Sequence, residues 1–429
     1  MSNQQYTIED LYSLELKVWW AYFKSESLAF KMICLYLFVE YVRPQSIITW
    51  LDFLPWAKLF LLGSLIGVFM EKDRKWVSSP INKWMVLFFL SILWSTVNAQ
   101  YPSESYKYLA NFYTWFVIYF LIINIVTTPK RFLFFLAIFC IASFKISLSL
   151  AITWAKRGFS FTDWGLMGPP GPFANSGELA IQMAVFWPIG LAVALSLKPY
   201  ISSWKFKVLM LMPITACMVI LGASSRGGQL AMMLQFFLRF FKQIFKIKVL
   251  VGIVVVVAAG WHFLPEEQKQ RFAESGSDKT SEQRLLYWKN GFKMMNDHPF
   301  TGVGYFNFMP YFEDYYSEDM LYPTAQLPHN IFVQVGADLG YIGLFFYLML
   351  ISSAFSAISK IGKDTVPSII GELSVALKIS MIGFLVAGQF VSVVYYPFLW
   401  IQLALINTLC TSNKYYIDMK SSMHVVNNT

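Results

Sequence analysis

The sequence predicts an all-α polytopic membrane protein with about twelve transmembrane helices and one large loop that contains an amphipathic helix. Three observations predict it. The 429 residues are 56% hydrophobic and only 14% charged, against about a quarter charged in an average soluble domain. Mostly apolar runs of roughly 18 to 20 residues, each long enough to cross a bilayer, recur along the whole chain. The 40 Phe, 23 Tyr and 15 Trp suit lipid-facing surfaces and the interfacial belts where aromatic residues collect. A formal charge of +9 could point to nucleic acid. The basic residues instead fall in short connections between apolar runs, so no nucleic-acid partner is expected.

Residues 1–26 read as a cytoplasmic or interfacial segment. Glu9, Asp10, Glu15 and Glu26 leave no charged-then-apolar pattern, so no cleavable signal is expected. Leu11, Leu14 and Val18 share a helical face with Trp19 and Trp20 beyond it, the pattern of a helix lying on a membrane. Nine spans follow within 27–264, near 27–43, 54–70, 82–98, 108–126, 131–154, 177–197, 206–223, 226–241 and 247–264. A large loop covers 265–328. Three further spans lie within 329–412, near 330–354, 369–393 and 396–412, and a tail covers 413–429. Cys34, Cys140, Cys217 and Cys410 show neither disulfide nor metal spacing, and no metal or cofactor is expected.

Alternate short connections are basic. Lys72, Arg74, Lys75 and Lys83 separate spans two and three, and Lys130 and Arg131 precede span five. Lys198, Lys205 and Lys207 follow span six; Arg239, Lys242, Lys246 and Lys248 follow span eight; Lys360 and Lys363 follow span ten. The other short connections hold only Arg43, Lys107, Lys156, Arg157 and Arg226. The positive-inside rule makes the richer set cytoplasmic and puts both termini inside. Four informative segments then share the outer face: GLMGPPGPFANSGELA (165–180), GASSRGGQLA (222–231), the large loop, and the junction before span ten.

Arg226 is the sole basic residue of its outer turn. It could merely snorkel to headgroups. Two following glycines that let a backbone approach a ligand, and a helix N-terminus that favours anions, support an anion-binding role instead. In the large loop, Thr280 and Gln283 have capping-box spacing. Leu285, Trp288, Phe292 and Met295 form a helical apolar stripe, which Pro299 would end. An interfacial helix explains that stripe. It does not explain Arg284, off the stripe in the first turn, where the macrodipole disfavours a cation. The GVG at 302–304 follows no strand and carries no weight for nucleotide binding. Asn175 and Glu178 match an Asn-x-x-Glu cap of span six, which makes capping the favoured role of Glu178.

Of the four histidines, His329 alone heads a span on the face that holds both arginines, with Asn330 beginning the helix. Neutral imidazole is the natural general base near neutral pH. Asp338 lies roughly 13 Å inside span ten at 1.5 Å per residue. An acid there is costly and usually paired or functional; Lys145 and Lys378 are candidate partners. Glu313, Asp314, Glu318 and Asp319 form an acidic patch in the loop, read as a solvated surface before a cation site.

SRGG at 225–228, Arg284-x-x-x-Trp288 leading to DHPFTGVGYFNF at 297–308, and HNIFVQVGADLGYIG at 329–343 resemble, in order and spacing, the O-antigen ligase and polymerase superfamily of bacterial envelope glycosyltransferases. The likeness covers about the second half of the chain. EYVRPQ at 40–45 and LPW at 54–56 look like an exopolysaccharide-cluster subgroup. Asp338 departs from the pattern, standing where relatives commonly have Glu. The resemblance implies transfer of a glycan from undecaprenyl diphosphate to an acceptor hydroxyl of a glycan, lipid A core or protein. The reaction would run on the periplasmic side of the bacterial inner membrane. Arg226 and Arg284 carry over as diphosphate-binding residues and His329 as the catalytic one; Asn330, Glu178 and Asp338 are candidate supporting residues from their positions alone. Arginine forks bind phosphate oxygens bidentately and stay charged. A low-pKa diphosphate leaving group needs no strong acid, so direct, metal-independent displacement with inversion is expected. The competing expectation is a transporter or flippase of lipid-linked oligosaccharides that uses Lys145, Asp338 and Lys378 as a pathway. Such proteins usually show two similar halves, and no internal repeat is visible.

Overall fold

The computed structural model describes residues 7–71, 76–162, 165–248, 278–361 and 368–427, with Gly252, His262 and Lys269. Among the described residues it is all-helical. Helices Leu28–Val42, Trp56–Met70, Pro80–Val97, Pro102–Ile125, Pro129–Lys156, Ser176–Leu197, Ser203–Gly222, Arg226–Ile244, Ile331–Ser359, Ser368–Ala387 and Pro397–Asn427 lie at the positions of the expected spans other than the ninth, with Ser368–Ala387 stopping short of the expected end at 393. Seven of the described helices are long and apolar enough to cross a membrane. The expected span at 247–264 and the loop residues 265–277 fall outside the described residues, apart from the three residues named above. So do Lys72, Arg74, Lys75 and Lys363 of the charge pattern.

Local chemistry sets the helix starts. Pro80, Pro102 and Pro129 each open a helix, where a missing N–H costs nothing. Ser27, Ser79, Thr128 and Ser225 accept hydrogen bonds from the first turns of their helices. Ser176–Leu197 is apolar almost all round and buried on nearly every side, so it forms the centre. It packs against Ser203–Gly222 and Ser368–Ala387. Gln235 is the polar tie there: Trp187 Nε1 donates to its Oε1 at 2.7 Å, and its Nε2 donates to the carbonyls of Ala184 and Ile379 at 2.8 and 3.0 Å. Such bonds are a main source of helix cohesion where the surroundings are apolar. The N-terminal segment forms two short helices, Ile8–Tyr12 and Leu16–Ser25, where one was expected, because Leu14 takes a left-handed φ of 51°.

Span ten is not one rod. Ile331–Ser359 breaks at Gly340, whose φ of 69° and ψ of −172° leave the helix. The break frees carbonyls that cannot stay unsatisfied away from water. The loop 299–304 fills the gap. Val303 N donates to Ala337 O at 2.9 Å, Gly304 N to Asp338 O at 3.2 Å, and Tyr341 N to Pro299 O at 2.8 Å. Ser95 Oγ adds a 2.7 Å bond to Asp338 O. The GVG that lacked a nucleotide-binding context therefore closes a helix break.

The break gives a stability prediction with an internal control. A Cβ at Gly340 would meet Pro299 O at 2.6 Å, whereas at Gly158, also left-handed at φ +65°, it would meet nothing within 4 Å. Gly340→Ala should cost about 2 kcal/mol or more, strain plus clash, and lower the thermal midpoint in detergent well beyond Gly158→Ala. Equal shifts for the two variants would refute the packed break.

Candidate active site

Five helix ends meet at one end of the bundle around a cavity of about 700 Å³. Helices Ser176–Leu197, Arg226–Ile244 and Ile331–Ser359 begin there, and Ser203–Gly222 and Ser368–Ala387 end there. The cavity wall includes Arg226, Arg284 and His329, the three residues singled out from sequence, together with Glu178.

Arg226 is the first residue of its helix, after a turn in which Ser224 has φ 52°. Its Nη1 and Nη2 both donate to Asp278 Oδ2, at 3.1 and 3.2 Å. The neighbouring glycines allow close packing, and Gly227 also lines the cavity. A Cβ at Gly227 would meet Phe390 at 2.7 Å, and one at Gly228 would meet Ala180 Cβ at 2.7 Å.

Asp278 is one of the cavity-region residues that the sequence did not single out. It is the N-cap of helix Lys279–Asp297, accepting from Ser281 N at 3.0 Å and Ser281 Oγ at 2.8 Å, so Thr280 is not the cap. Burial works to raise its pKa, but the bonds from Ser281 and Arg226 and the Arg226 charge outweigh it and hold the carboxyl at about 2. The missed signal was Asp-x-x-Ser ahead of the periodic run. With the helix starting at Lys279, Arg284 stands in the second turn, not the first. The buried face of that helix is Gln283, Tyr287, Asn290, Gly291, Met294 and Met295, while Leu285 and Phe292 of the expected stripe are exposed.

Arg284 forms no ion pair among the described residues, and its Nε is buried without a hydrogen-bond partner. Burial, then the charge of Arg226, lowers its pKa. An unpaired guanidinium beside a second one is an unsatisfied arrangement that an anion would complete. Ser224 Oγ on the same wall is also buried without a partner.

His329 is half-buried and has a left-handed φ of 52°, uncommon for a non-glycine residue. Two contacts hold it. His329 N donates to Ser392 Oγ at 2.7 Å, and Trp288 Nε1 donates to Pro328 O at 2.8 Å. Nε2 lies 3.1 Å from Gln326 Oε1; an amide oxygen only accepts, so this pairing puts the proton on Nε2 and the lone pair on Nδ1. Burial, then the Arg284 charge, lowers the imidazole pKa from 6.5 to about 4.

The supporting residues divide. Asn330 is buried and caps its helix through Oδ1, accepting from Phe332 N and Val333 N at 2.9 and 3.2 Å. Glu178 lines the cavity, with Asn175 and Tyr396 beside its carboxyl. The Asn175 side chain does not cap the helix, so the expected box is not closed. Asp338 is fully buried outside the cavity wall. Tyr395 OH donates to its Oδ2 at 3.2 Å, a hydroxyl where Lys145 or Lys378 was the candidate partner. Three of the four acids of the patch take part in folding the loop. Glu313 accepts from Ala325 N, Asp314 from Tyr101 OH and Asp319 from Asn290 Nδ2. Ser392 falls inside the expected span 369–393 and Tyr396 opens the expected span 396–412, but the helices are Ser368–Ala387 and Pro397–Asn427, so both residues lie in the connection.

Residues 211–348 match the family model of the O-antigen ligases. That stretch holds Arg226, Asp278, Arg284 and His329, and it supports the superfamily resemblance read from the motifs. Glu178, Ser392 and Tyr396 lie outside the matched O-antigen ligase region. No curated protein matches the chain.

Arg284→Gln should raise the titration midpoint of His329, because a neighbouring cation disfavours the imidazolium. Burial is the larger cause, so the midpoint should move up from about 4 but stay below 6.5. NMR of histidine-labelled protein, with His329→Ala for assignment, reads this directly. An unmoved midpoint would separate the two side chains.

Proposed function

We propose that the chain is an inverting glycosyltransferase of the O-antigen ligase and polymerase type, moving a glycan from undecaprenyl diphosphate to an acceptor hydroxyl. The observation that carries this reading is one cavity shared by two arginines and a neutral imidazole, with one guanidinium unpaired. Asp278 pairs with Arg226, whereas Arg284 forms no ion pair among the described residues. A diphosphate brings negative charge to it. Arg284 and Arg226 hold the departing diphosphate as the sugar–oxygen bond breaks. The acceptor oxygen attacks from the opposite face, which inverts the anomeric centre. His329 takes the acceptor proton through Nδ1. The guanidinium pair supplies the charge stabilisation, so the reading needs no metal.

The basic short loops support twelve spans, cytoplasmic termini and a cavity on the periplasmic side of the bacterial inner membrane. The acceptor is a glycan, lipid A core or protein; the donor chemistry is common to ligase and polymerase. Asp338, central to the transporter reading, lies outside the cavity wall and accepts from Tyr395 OH, which favours the transfer reading.

Protein purified into nanodiscs and given labelled undecaprenyl-diphosphate-linked glycan should transfer it to acceptor. Arg226→Ala, Arg284→Ala and His329→Ala should each lower kcat roughly 100- to 1,000-fold. In cells, His329→Ala should leave lipid-linked donor on the periplasmic side. Donor retained on the cytoplasmic side would favour transport.

A further inference from the structure

The cavity has a second polar wall that the diphosphate chemistry leaves unused. Glu178 is 6% exposed yet lines the cavity. It stands in the first turn of the central helix and forms no ion pair among the described residues; Arg226 takes its carboxylate from Asp278. Asn175 and Tyr396 lie beside its carboxyl. A carboxylate offers about four acceptor positions, so these two neighbours leave part of it for a ligand. Tyr396 lines the same wall, and its ring stacks on Phe398 with centroids 6.0 Å apart and planes 7° apart. Gly177 packs against Val391, where a Cβ would sit 3.0 Å from a side-chain carbon, so the 388–396 segment stays close to this turn.

A carboxylate on the wall repels a diphosphate. It also accepts well from hydroxyls, and a fixed aromatic ring beside it offers an apolar face for sugar C–H groups. We infer that Glu178 and Tyr396 form the acceptor subsite, which takes the hydroxyl-rich end of a neutral glycan and disfavours an acidic sugar. The inference rests on the glycan-transfer reading and names which part of the cavity the acceptor occupies. Glu178 and Tyr396 act as binding and specificity residues, with proton removal left to His329.

The experiment uses the full chain in nanodiscs, a labelled undecaprenyl-diphosphate-linked glycan as donor, and two oligosaccharide acceptors that differ only in a glucose or a glucuronate at the accepting end. Wild type should prefer the neutral acceptor. Glu178→Gln should raise the KM for that acceptor roughly 10- to 100-fold, the loss expected for a charge-assisted hydrogen bond. The KM for donor should change less than about two-fold, and discrimination against glucuronate should weaken. Tyr396→Phe should raise acceptor KM by a smaller factor and serves if Glu178→Gln does not fold. A purely structural role would instead lower kcat, or raise both KM values together, and would overturn the inference. So would an unchanged acceptor KM with wild-type discrimination retained. Wild type that transfers to neither acceptor, nor to any lipid-linked acceptor, would defeat the glycan-transfer reading itself.

Discussion

Two guanidinium groups share one cavity, and the Asp278 carboxylate is what makes that tolerable. Like charges in one cavity repel, the more so where one of them, here Arg284, is largely buried. Asp278 meets Arg226 through both of its terminal nitrogens and caps the helix that carries Arg284. One side chain therefore neutralises the first arginine and fixes the register of the second. Its two jobs are coupled. The cap orients the carboxylate toward Arg226, and the ion pair anchors the start of the loop helix to the membrane bundle. The pair is partly exposed, so its value lies in placement more than in stability.

The other half of the site is fixed by backbone. The left-handed break at Gly340 detaches a short helix, and its freed carbonyls demand donors. The segment after helix Lys279–Asp297 supplies them. The helix that bears Arg284 and the helix that follows His329 are thereby joined through main-chain bonds. Trp288, one turn beyond Arg284, adds a bond to Pro328 O immediately before the histidine. The spacing between arginine and tryptophan thus has a mechanical meaning. The first faces the cavity, and the second holds the chain that presents the imidazole.

Most of the fold was legible because apolar run length and flanking charge are one-dimensional properties. The helix from 176 to 197 is an example: nothing beyond composition was needed to place it. Arg226 and His329 stood out as polar residues at the edge of apolar runs, and Arg284 as a cation off the apolar stripe of its loop helix. Asp278, Ser392 and Tyr396 did not, for differing reasons. Asp278 looked like one acid among many in a polar loop, and its worth depends on a partner 52 residues away. Ser392 and Tyr396 sit where an apolar composition continues although the helix has stopped. The break at Gly340 was hidden likewise, since a single glycine in an apolar run reads as helix. Its signal is paired: a second glycine-rich segment whose amides have no other destination.

The low basicity of His329 looks at first like a poor choice for proton removal. Its cause resolves the difficulty. Burial and the Arg284 charge both act on the empty cavity. On the proposed reading, a diphosphate seated against Arg284 cancels that charge and adds negative charge of its own, and both changes favour the imidazolium. The imidazole then becomes a stronger base when donor is bound. The same contact that stabilises the leaving group also readies the base, so donor binding and proton removal are coupled through one arginine. A subsite for a neutral acceptor fits this scheme, because an acidic sugar at Glu178 would bring a further anion towards the cations that hold the diphosphate.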